Sequence, residues 1–333
     1  MAKTARTDLP DGVIVLDKPH GPTSTQCLNR IKRTLGKIKL GHAGTLDPLA
    51  TGVLLALVGQ GTKIAPYLTE GPKVYQGALK LGLTTDTYDI QGKITSEPGA
   101  DGVDNEALRR AILDWAALTE QETPPVSAAK HQGKPLYALA RAGEKTPVKI
   151  RQISIFEVEA LEIDAPHARF RVRCSPGTYV RSLVHSLGTR LGCGAVLTEL
   201  RREACEPFGL DQAVELEELL RSPETAAERI IPLPRALPHW PKLPLTAAQA
   251  GLVKNGVRLQ ASEVQGSAPE PGAKAMFTDE AGSPLALAEA KPGPSGIEWS
   301  ILRGLFAPDQ PEAKRSPAVS TLQPTKATEH QGG

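Results

Sequence analysis

The sequence predicts an α+β protein whose main domain has a mixed, largely antiparallel sheet and whose C-terminal part is a small β-rich domain. Strand-like and helix-like segments follow one another in no strict βαβ order, which disfavours a doubly wound parallel sheet. A proline-rich segment then precedes short apolar runs typical of strands. We expect a main domain over 1–232, a linker over 233–244, a small domain over 245–305 and a disordered tail over 306–333.

Periodicity places the elements of the main domain in order. Apolar residues at helical spacing follow Ser24 and Asp104, which we expect to be helix N-caps. Short apolar and alternating runs predict strands over 73–83 and 168–174, and helical spacing predicts a further helix over 178–191. In the second strand arginines alternate with apolar residues. One face of this strand should therefore be buried and the other cationic.

The small domain is expected to begin with a short helix over 245–255. Apolar runs at 275–278, 285–288 and 297–302 predict three strands after it. The sequence after Phe306 is polar and poor in large apolar residues, a composition typical of disorder.

Composition bounds the class of protein. A chain of 333 residues with 40% hydrophobic and 23% charged residues can bury one large core and still form a smaller domain. The longest apolar stretch, 52–59, is too short to span a membrane, and 1–12 lacks the apolar core of a signal peptide, so we expect a cytoplasmic protein that does not associate with membranes. The four cysteines show neither a C-x-x-C pair nor a histidine at ligand spacing, which indicates reduced thiols and no zinc site.

Charge is unevenly distributed although the net charge is only +2. Residues 26–40 hold five basic residues and no acid, 168–202 hold seven arginines and one acid, and 203–230 hold eight acids and two arginines. Basic segments that converge in the fold could follow a phosphate backbone. Any one of them alone is more often an ordinary solvated face.

One carboxylate lies in a segment suited to hold a reactive group. Asp47 stands in Gly41–Gly52 (GHAGTLDPLATG), where Pro48 restricts it to extended geometry and the glycines allow close backbone approach. The apolar run 53–58 would give this loop a rigid base. An isolated Asp-Pro pair is more often a turn or capping aspartate. The residues alone leave both interpretations open.

Six ordered blocks of the sequence resemble the bacterial pseudouridine-55 synthases of the TruB family, and chance agreement of all six is implausible. The blocks are LDKPHGPTS at 16–24, GHAGTLDPLATGVL at 41–54, YQG with TDTYDIQG at 75–92, PPVSAAKHQGKPLY at 124–137, CSPGTYVR at 174–181 and LGCGA with LTELRR at 191–202. The resemblance implies a pseudouridine-synthase-like catalytic domain, an RNA-gripping insertion at about 124–150 and a PUA-like RNA-binding module over 245–305.

The family's activity implies an isomerase that converts uridine 55 in the T loop of tRNA to pseudouridine. Uracil is detached from the ribose at N1, rotated and rejoined through C5. This is an isomerisation, so we expect no cofactor and no metal. The expected partner is the T arm of tRNA, with no obligate protein partner. We expect a monomer, because one concave basic surface could hold a tRNA arm.

The resemblance also assigns candidate site residues. The family's catalytic aspartate falls on Asp47, and Arg181 matches the arginine that holds this carboxylate ionised and oriented. Tyr75 matches a tyrosine that stacks on the target base, and Tyr179 a second aromatic residue of the pocket. Without the resemblance, Arg181 could equally bind phosphate or solvent, and either tyrosine would more often be a core aromatic residue.

Further matches concern RNA binding. His42 matches a histidine that enters the space vacated in the T loop, and Leu200 an apolar pocket residue, although a lone histidine or leucine is more often structural. Asp89 and Gly92 resemble turn residues at a strand end. Candidates for contacts with the RNA backbone are Lys18, Lys130, Lys134 and Arg141, but Lys18 could instead support the active-site loop.

Two departures and two alternatives remain. Ser186 stands where the family usually has an aspartate, and Val126 where it usually has a tyrosine. One alternative is an RNA-binding folding helper, which would need a basic surface but not the pair Asp47 and Arg181. The other is a guide-RNA-dependent relative of the family, which would lack a segment comparable to 124–143.

Overall fold

The computed structural model describes residues 9–36, 38–127, 149–266 and 269–306, and the backbone of two short strands between 130 and 135. Most of the predicted insertion, including Arg141, and the predicted tail after Phe306 lie outside the described residues. No helix in the described ranges is long and apolar enough to cross a membrane. The helices are α1 (Ser24–Leu35), α2 (Ala65–Leu68), α3 (Asn105–Leu113), α4 (Val180–Arg190), α5 (Leu216–Arg221), α6 (Leu233–Ala236) and α7 (Ala247–Lys254).

The strands divide into a first group, up to residue 205, and a second group that follows it. The first group is β1 (Gly12–Lys18), β2 (Leu40–Ala43), β3 (Thr51–Val58), β4 (Lys73–Leu81), β5 (Thr84–Thr85), β6 (Ile94–Ser96), β7 (Glu120–Glu122), β8 (Lys130–His131), β9 (Lys134–Pro135), β10 (Ile150–Gln152), β11 (Ile155–Asp164), β12 (His167–Cys174) and β13 (Ala195–Cys205). The second is β14 (Phe208–Gly209), β15 (Val214–Glu215), β16 (Ile231–Pro232), β17 (Lys242–Pro244), β18 (Leu259–Gln260), β19 (Lys274–Thr278), β20 (Pro284–Gly293) and β21 (Gly296–Gly304).

A ten-stranded sheet forms the centre of the main domain. Its strand order is β11-β12-β4-β13-β3-β1-β15, with β14, β16 and β2 pairing beside β13, β1 and β3. Among the described pairs of this sheet, β1 with β15 and β3 with β13 are parallel and the others are antiparallel. The prediction of a mixed, largely antiparallel sheet is confirmed.

The register of the central strands β4 and β13 decides which of their side chains lie side by side. Arg202 lies opposite Tyr75, and Leu200 lies opposite Gly77. Because alternate residues of a strand share a face, Lys73, Tyr75, Leu200 and Arg202 lie on one face of this pair. Two neighbouring strands thus supply one continuous floor.

The N-terminus of α1 differs from the prediction. Thr23, not Ser24, is the N-cap, and its side chain and that of Gln26 form a capping box. Ser24 is the first helical residue, and its buried hydroxyl bonds the backbone of Leu46 instead. The prediction for Asp104 is confirmed, since it caps α3.

The prediction that one face of the strand at 168–174 is cationic is wrong, because carboxylates from other segments pair with the arginines of this strand. The acidic segment that follows in sequence folds back beside the basic one and supplies two of these carboxylates. Charge on this face is therefore largely balanced within the chain. The pairs are Arg169 with Glu199 at 3.1 Å, Arg171 with Glu203 at 2.7 Å and Glu159 at 3.2 Å, and Arg173 with Glu206 at 2.7 Å.

The C-terminal part contains a five-stranded sheet of order β17-β19-β20-β21-β18. The prediction of a small β-rich domain is confirmed, with α7 as its short helix.

The proline-rich segment over 233–244, which was predicted to be a linker, contains regular structure. Proline lies in the first turn of α6, where no backbone donor is needed, and β17 is an edge strand. Leu233 and Leu237 are buried in a core shared by β1, β3 and the C-terminal sheet. The segment is thus packed between the two sheets.

Candidate active site

A cavity of about 270 Å³ lies where the loop 44–50, the turn 176–181 and the floor of β4 and β13 meet. Five of the predicted site residues line it: Asp47, Tyr75, Tyr179, Arg181 and Leu200. They come from the loop after β2, both floor strands and the start of α4. The fold therefore brings together residues that are far apart in sequence.

Lys18 supports the loop that carries Asp47 by bonding its backbone. Its ammonium group donates to the carbonyl oxygens of Ala50 at 2.6 Å, Pro19 at 2.9 Å and Pro48 at 3.5 Å. The side chain is 0% exposed, so the prediction that Lys18 contacts the RNA backbone is wrong. Its burial lowers its pKa. The alternative use of Lys18, as a support of the loop, agrees with these contacts.

Two further buried side chains fasten the same loop. The Ser24 hydroxyl accepts from the backbone N–H of Leu46 at 2.9 Å and donates to its carbonyl oxygen at 3.1 Å. Arg202 donates through Nη2 to the carbonyl oxygen of Gly44 at 2.8 Å and through Nε to that of Val53 at 2.7 Å. Groups preceding and following Asp47 are thus fixed, which holds its carboxylate in one place.

The Asp47 carboxylate bonds a buried arginine. Arg181 Nη2 lies 2.9 Å from Asp47 Oδ2, with the arginine side chain 5% exposed and the aspartate side chain 43% exposed. The guanidinium also donates through Nη1 to the carbonyl oxygen of Thr87 at 2.7 Å and through Nη2 to that of Val126 at 3.0 Å. Because Val126 contributes its backbone, its departure from the family's tyrosine leaves this contact intact.

Asp89 is a second carboxylate beside Arg181, at 3.7 Å from Nη1, and its side chain is buried. Its other oxygen accepts from the Thr87 hydroxyl at 2.8 Å and from the Gln91 backbone N–H at 3.1 Å. Asp89 is a turn residue, as the sequence suggested, but its pairing with Arg181 was missed. The second acid of the TDTYD block, Asp89, was the feature of the sequence that could have indicated a further partner for the arginine.

The floor of the cavity contains Tyr75 and two cations that the sequence analysis missed. Burial raises the pKa of Tyr75 to about 12, against the opposing effect of the Arg202 guanidinium, so its phenol is neutral at physiological pH. Lys73 donates to the carbonyl oxygens of Thr69 and Gly71, and burial lowers its pKa. No periodicity in the sequence marks Lys73 or Arg202 as cavity residues.

The remaining predicted residues lie elsewhere. His42 is on β2, half-buried, and it is not among the residues that line the cavity. Its buried Nδ1 has no partner among the described residues, and burial lowers its pKa. Lys130 and Lys134 lie on β8 and β9, whose side chains are outside the described part, so their RNA contacts stay predictions.

Two further findings concern Ser186 and metal binding. Ser186 is uncharged and cannot form the salt bridge that the family's usual aspartate could make; its hydroxyl donates to the Leu183 carbonyl oxygen of its own helix at 3.0 Å. Among the residues that the structure describes, no group of three or more His, Cys, Asp and Glu side chains could hold a metal ion.

Comparison with solved structures gives the class of the fold. The chain resembles the archaeal box H/ACA sRNP Nop10–Cbf5 complex with a TM-score of 0.66 and 25% identity, covering 92% of this chain and 90% of that chain. It resembles an H/ACA RNP bound to a substrate RNA containing 2′-deoxyuridine with a TM-score of 0.65 and 25% identity, covering 90% and 86%. The fold is that of the pseudouridine synthases.

Sequence comparison gives the family. Residues 32–180 match the N-terminal domain of the TruB family pseudouridylate synthases, and 181–237 match the tRNA pseudouridylate synthase B C-terminal domain. The chain is 52% identical over 299 residues to tRNA pseudouridine synthase B of Nitratidesulfovibrio vulgaris, covering 89% of this chain and 97% of that protein. It is 53% identical over 298 residues to that of Oleidesulfovibrio alaskensis, covering 89% and 96%. This chain belongs to the TruB family of pseudouridylate synthases, which confirms the resemblance.

Proposed function

We propose that this protein converts uridine 55 in the T loop of tRNA to pseudouridine, with Asp47 as the essential carboxylate. The observation that carries the proposal is the position of Asp47. Of the described residues that line the cavity it is the one acid, and its half-exposed carboxylate bonds the buried Arg181. The names of the similar proteins support tRNA as the substrate.

The reaction rearranges bonds without adding or removing atoms. The N1–C1′ bond breaks, the base turns, and C5 bonds to C1′. The proton on C5 leaves to a base, and N1 gains a proton, so the product is an isomer of the substrate. The Asp47 carboxylate can assist by attacking either the sugar or the base, and both routes need it held in a fixed position, as the contact with Arg181 provides.

The target base must leave the stack of the T loop before Asp47 can reach it. Tyr75 and Leu200 on the floor offer an aromatic and an aliphatic surface against which a flat base can pack. Tyr179 lines the wall, and its backbone is held by the Gln121 side chain, which accepts from the Tyr179 N–H at 2.6 Å. These contacts replace the neighbours that an extruded base loses.

The test uses an unmodified tRNA transcript carrying tritium at C5 of its uridines. Wild type should release one tritium per tRNA, and none from a transcript with cytidine at position 55. Asp47→Asn should bind the same tRNA with similar affinity and release no tritium. Tight binding by wild type with no tritium release would refute the isomerase and favour the RNA folding helper.

The same assay addresses the guide-RNA-dependent alternative. The similar H/ACA structures are ribonucleoprotein particles, one of them a complex with the protein Nop10. The bacterial relatives that are 52% and 53% identical to this chain are instead named tRNA pseudouridine synthase B. Conversion by the purified chain alone, without guide RNA, would support the stand-alone enzyme. A monomer without obligate protein partner and a cytoplasmic location stay predictions, the former checked by sedimentation with and without tRNA.

A further inference from the structure

The cavity has more positive than negative charge. Lys73, Arg181 and Arg202 line it together with one carboxylate, Asp47. Arg181 pairs with Asp47 and Asp89, so its charge is compensated. The other two cations have no carboxylate within 4.0 Å in the described part of the chain.

These two cations are also buried. The side chains of Arg202 and Lys73 belong to residues that are 2% and 6% exposed. Their donors meet the carbonyl oxygens of Gly44, Val53, Thr69 and Gly71, which satisfies hydrogen bonds but leaves the charges in place. Buried lysine and arginine are otherwise almost always paired, because a desolvated charge is costly. Because Lys73 and Arg202 also line the cavity and have no carboxylate of the described residues in contact, they are placed to pair with an anion that enters it.

The sheet fixes where that anion would lie. Arg202 and Tyr75 are directly opposite on neighbouring strands, and Lys73 is two residues from Tyr75 on the same face. Both cations therefore flank the tyrosine on which, under the proposed function, the target base packs.

We propose that Lys73 and Arg202 stabilise the negative charge that the uracil base acquires during the reaction. The proposal rests on the function proposed above. When the N1–C1′ bond breaks, its electron pair stays on N1 and delocalises onto the O2 and O4 carbonyl oxygens. If Asp47 attacks the base instead, the ring again carries the charge as an enolate. Fixed cations aimed at such a charge lower the barrier because they need no reorganisation.

A phosphate of the RNA backbone is the other anion available. A phosphate beside the target nucleotide is strongly hydrated and binds at accessible surfaces. Arg202 and Lys73 are nearly inaccessible on the floor, where only an extruded base would enter. Burial thus favours the base over the phosphate.

The experiment compares uridine with 5-fluorouridine at position 55 in single-turnover reactions. Fluorine withdraws electrons and stabilises the base anion by itself, so the reaction should depend less on the enzyme's cations. Lys73→Gln and Arg202→Gln remove the charge and keep an N–H donor for the carbonyl oxygens. We expect them to slow consumption of uridine about 100-fold or more, as loss of one charge-stabilising donor does, and to slow consumption of 5-fluorouridine at least about tenfold less.

Lys18→Gln is the matched control. Lys18 is also a buried cation bonded to carbonyl oxygens and supports the same loop, but it does not line the cavity. It should slow both substrates by the same factor. Lys73→Arg, which keeps the charge, should restore most of the rate with uridine. If Arg202→Gln does not fold, the Lys73 variants decide.

Three results would overturn the proposal. Equal slowing of both substrates by Lys73→Gln would show that this lysine only supports the fold. Weaker tRNA binding with a smaller salt dependence and an unchanged single-turnover rate would assign the cations to a phosphate. A wild type that binds tRNA and converts no uridine would refute the proposed function and, with it, this role of the two cations; the other two results overturn the role alone.

Discussion

Asp89→Asn isolates the electrostatic support of Arg181. The amide has the same shape as the carboxylate, and its oxygen can still accept from the Thr87 hydroxyl and the Gln91 N–H. The amide nitrogen would then face Arg181 Nη1 in place of Oδ2, which lies 3.7 Å away. The change therefore removes one charge and places a donor against a donor.

The structure sets the expected magnitude. At 3.7 Å and an effective dielectric constant near 20, the attraction between two unit charges is about 4 kcal/mol. Removal of one partner of a buried pair costs about 3–5 kcal/mol, because the remaining charge stays buried. Arg181 retains the half-exposed Asp47 as a partner, so we expect a loss of about 3 kcal/mol in the free energy of unfolding.

The assays are urea unfolding followed by tryptophan fluorescence and single-turnover pseudouridine formation. We expect the rate to fall at least about tenfold, since an orientation error of the guanidinium moves the Asp47 carboxylate from its place. Asp86→Asn is the control in the same turn: its carboxylate accepts from the Lys93 backbone N–H at 2.8 Å and does not pair with Arg181. This control should change the free energy of unfolding by less than about 1 kcal/mol. It should leave the single-turnover rate near that of wild type.

An Asp89→Asn variant as stable and as active as Asp86→Asn would refute this reasoning. It would mean that the Thr87 and Val126 carbonyl oxygens alone hold the guanidinium.

Three further predictions concern the same region. Ser24→Ala removes both bonds to the Leu46 backbone and should cost about 1–3 kcal/mol in urea unfolding, with a reduced rate because the Asp47 loop loosens; unchanged values would show that water replaces the hydroxyl. Gly52→Ala places a methyl group against a carbonyl oxygen of β13 at a φ of +95°, so we expect insoluble or strongly destabilised protein by circular dichroism. Burial lowers the pKa of His42 and of His185. As the pH falls below about 6.5, the unfolded chain therefore takes up protons before the folded protein does. The free energy of unfolding should decrease as the pH is lowered, by at most about 1.4 kcal/mol per pH unit for each histidine. The variant His42→Gln/His185→Gln should show a flatter dependence in urea titrations, and an identical slope would contradict these shifts.

The sequence predicted the elements well where a single periodicity governs them. The helix now defined as α4 and the strands β4 and β12 were placed within a few residues, because burial on one face imposes the spacing. The cap of α1 was misplaced by one residue, since Thr23 and Ser24 are both good capping residues and only the backbone shows which one precedes the helix.

The site was predictable only through the family resemblance. No periodicity relates Asp47, on a loop after β2, to Arg181, at the start of α4, yet the two side chains meet. The partners of the β12 arginines were missed because the sheet topology brings them there: Glu159 is on the neighbouring strand β11, whereas Glu199 and Glu203 reach across β4 from β13. Lys73 and Arg202 were missed for a similar reason: the register of β4 with β13, which contains two irregularities, decides which side chains share the floor.

The packed proline-rich segment has a consequence for how the protein unfolds. Its Leu233 and Leu237 lie in one apolar cluster with residues of β1 and β3 and with Met276 and Leu287 of the C-terminal sheet. The Lys63 ammonium further donates to a carbonyl oxygen at the end of β21 at 2.7 Å. Deletion of the C-terminal sheet would leave the back of the catalytic sheet in water, so the two sheets should melt as one cooperative unit. A chain truncated at residue 232, where the composition changes, would then be an aggregating fragment instead of a minimal enzyme.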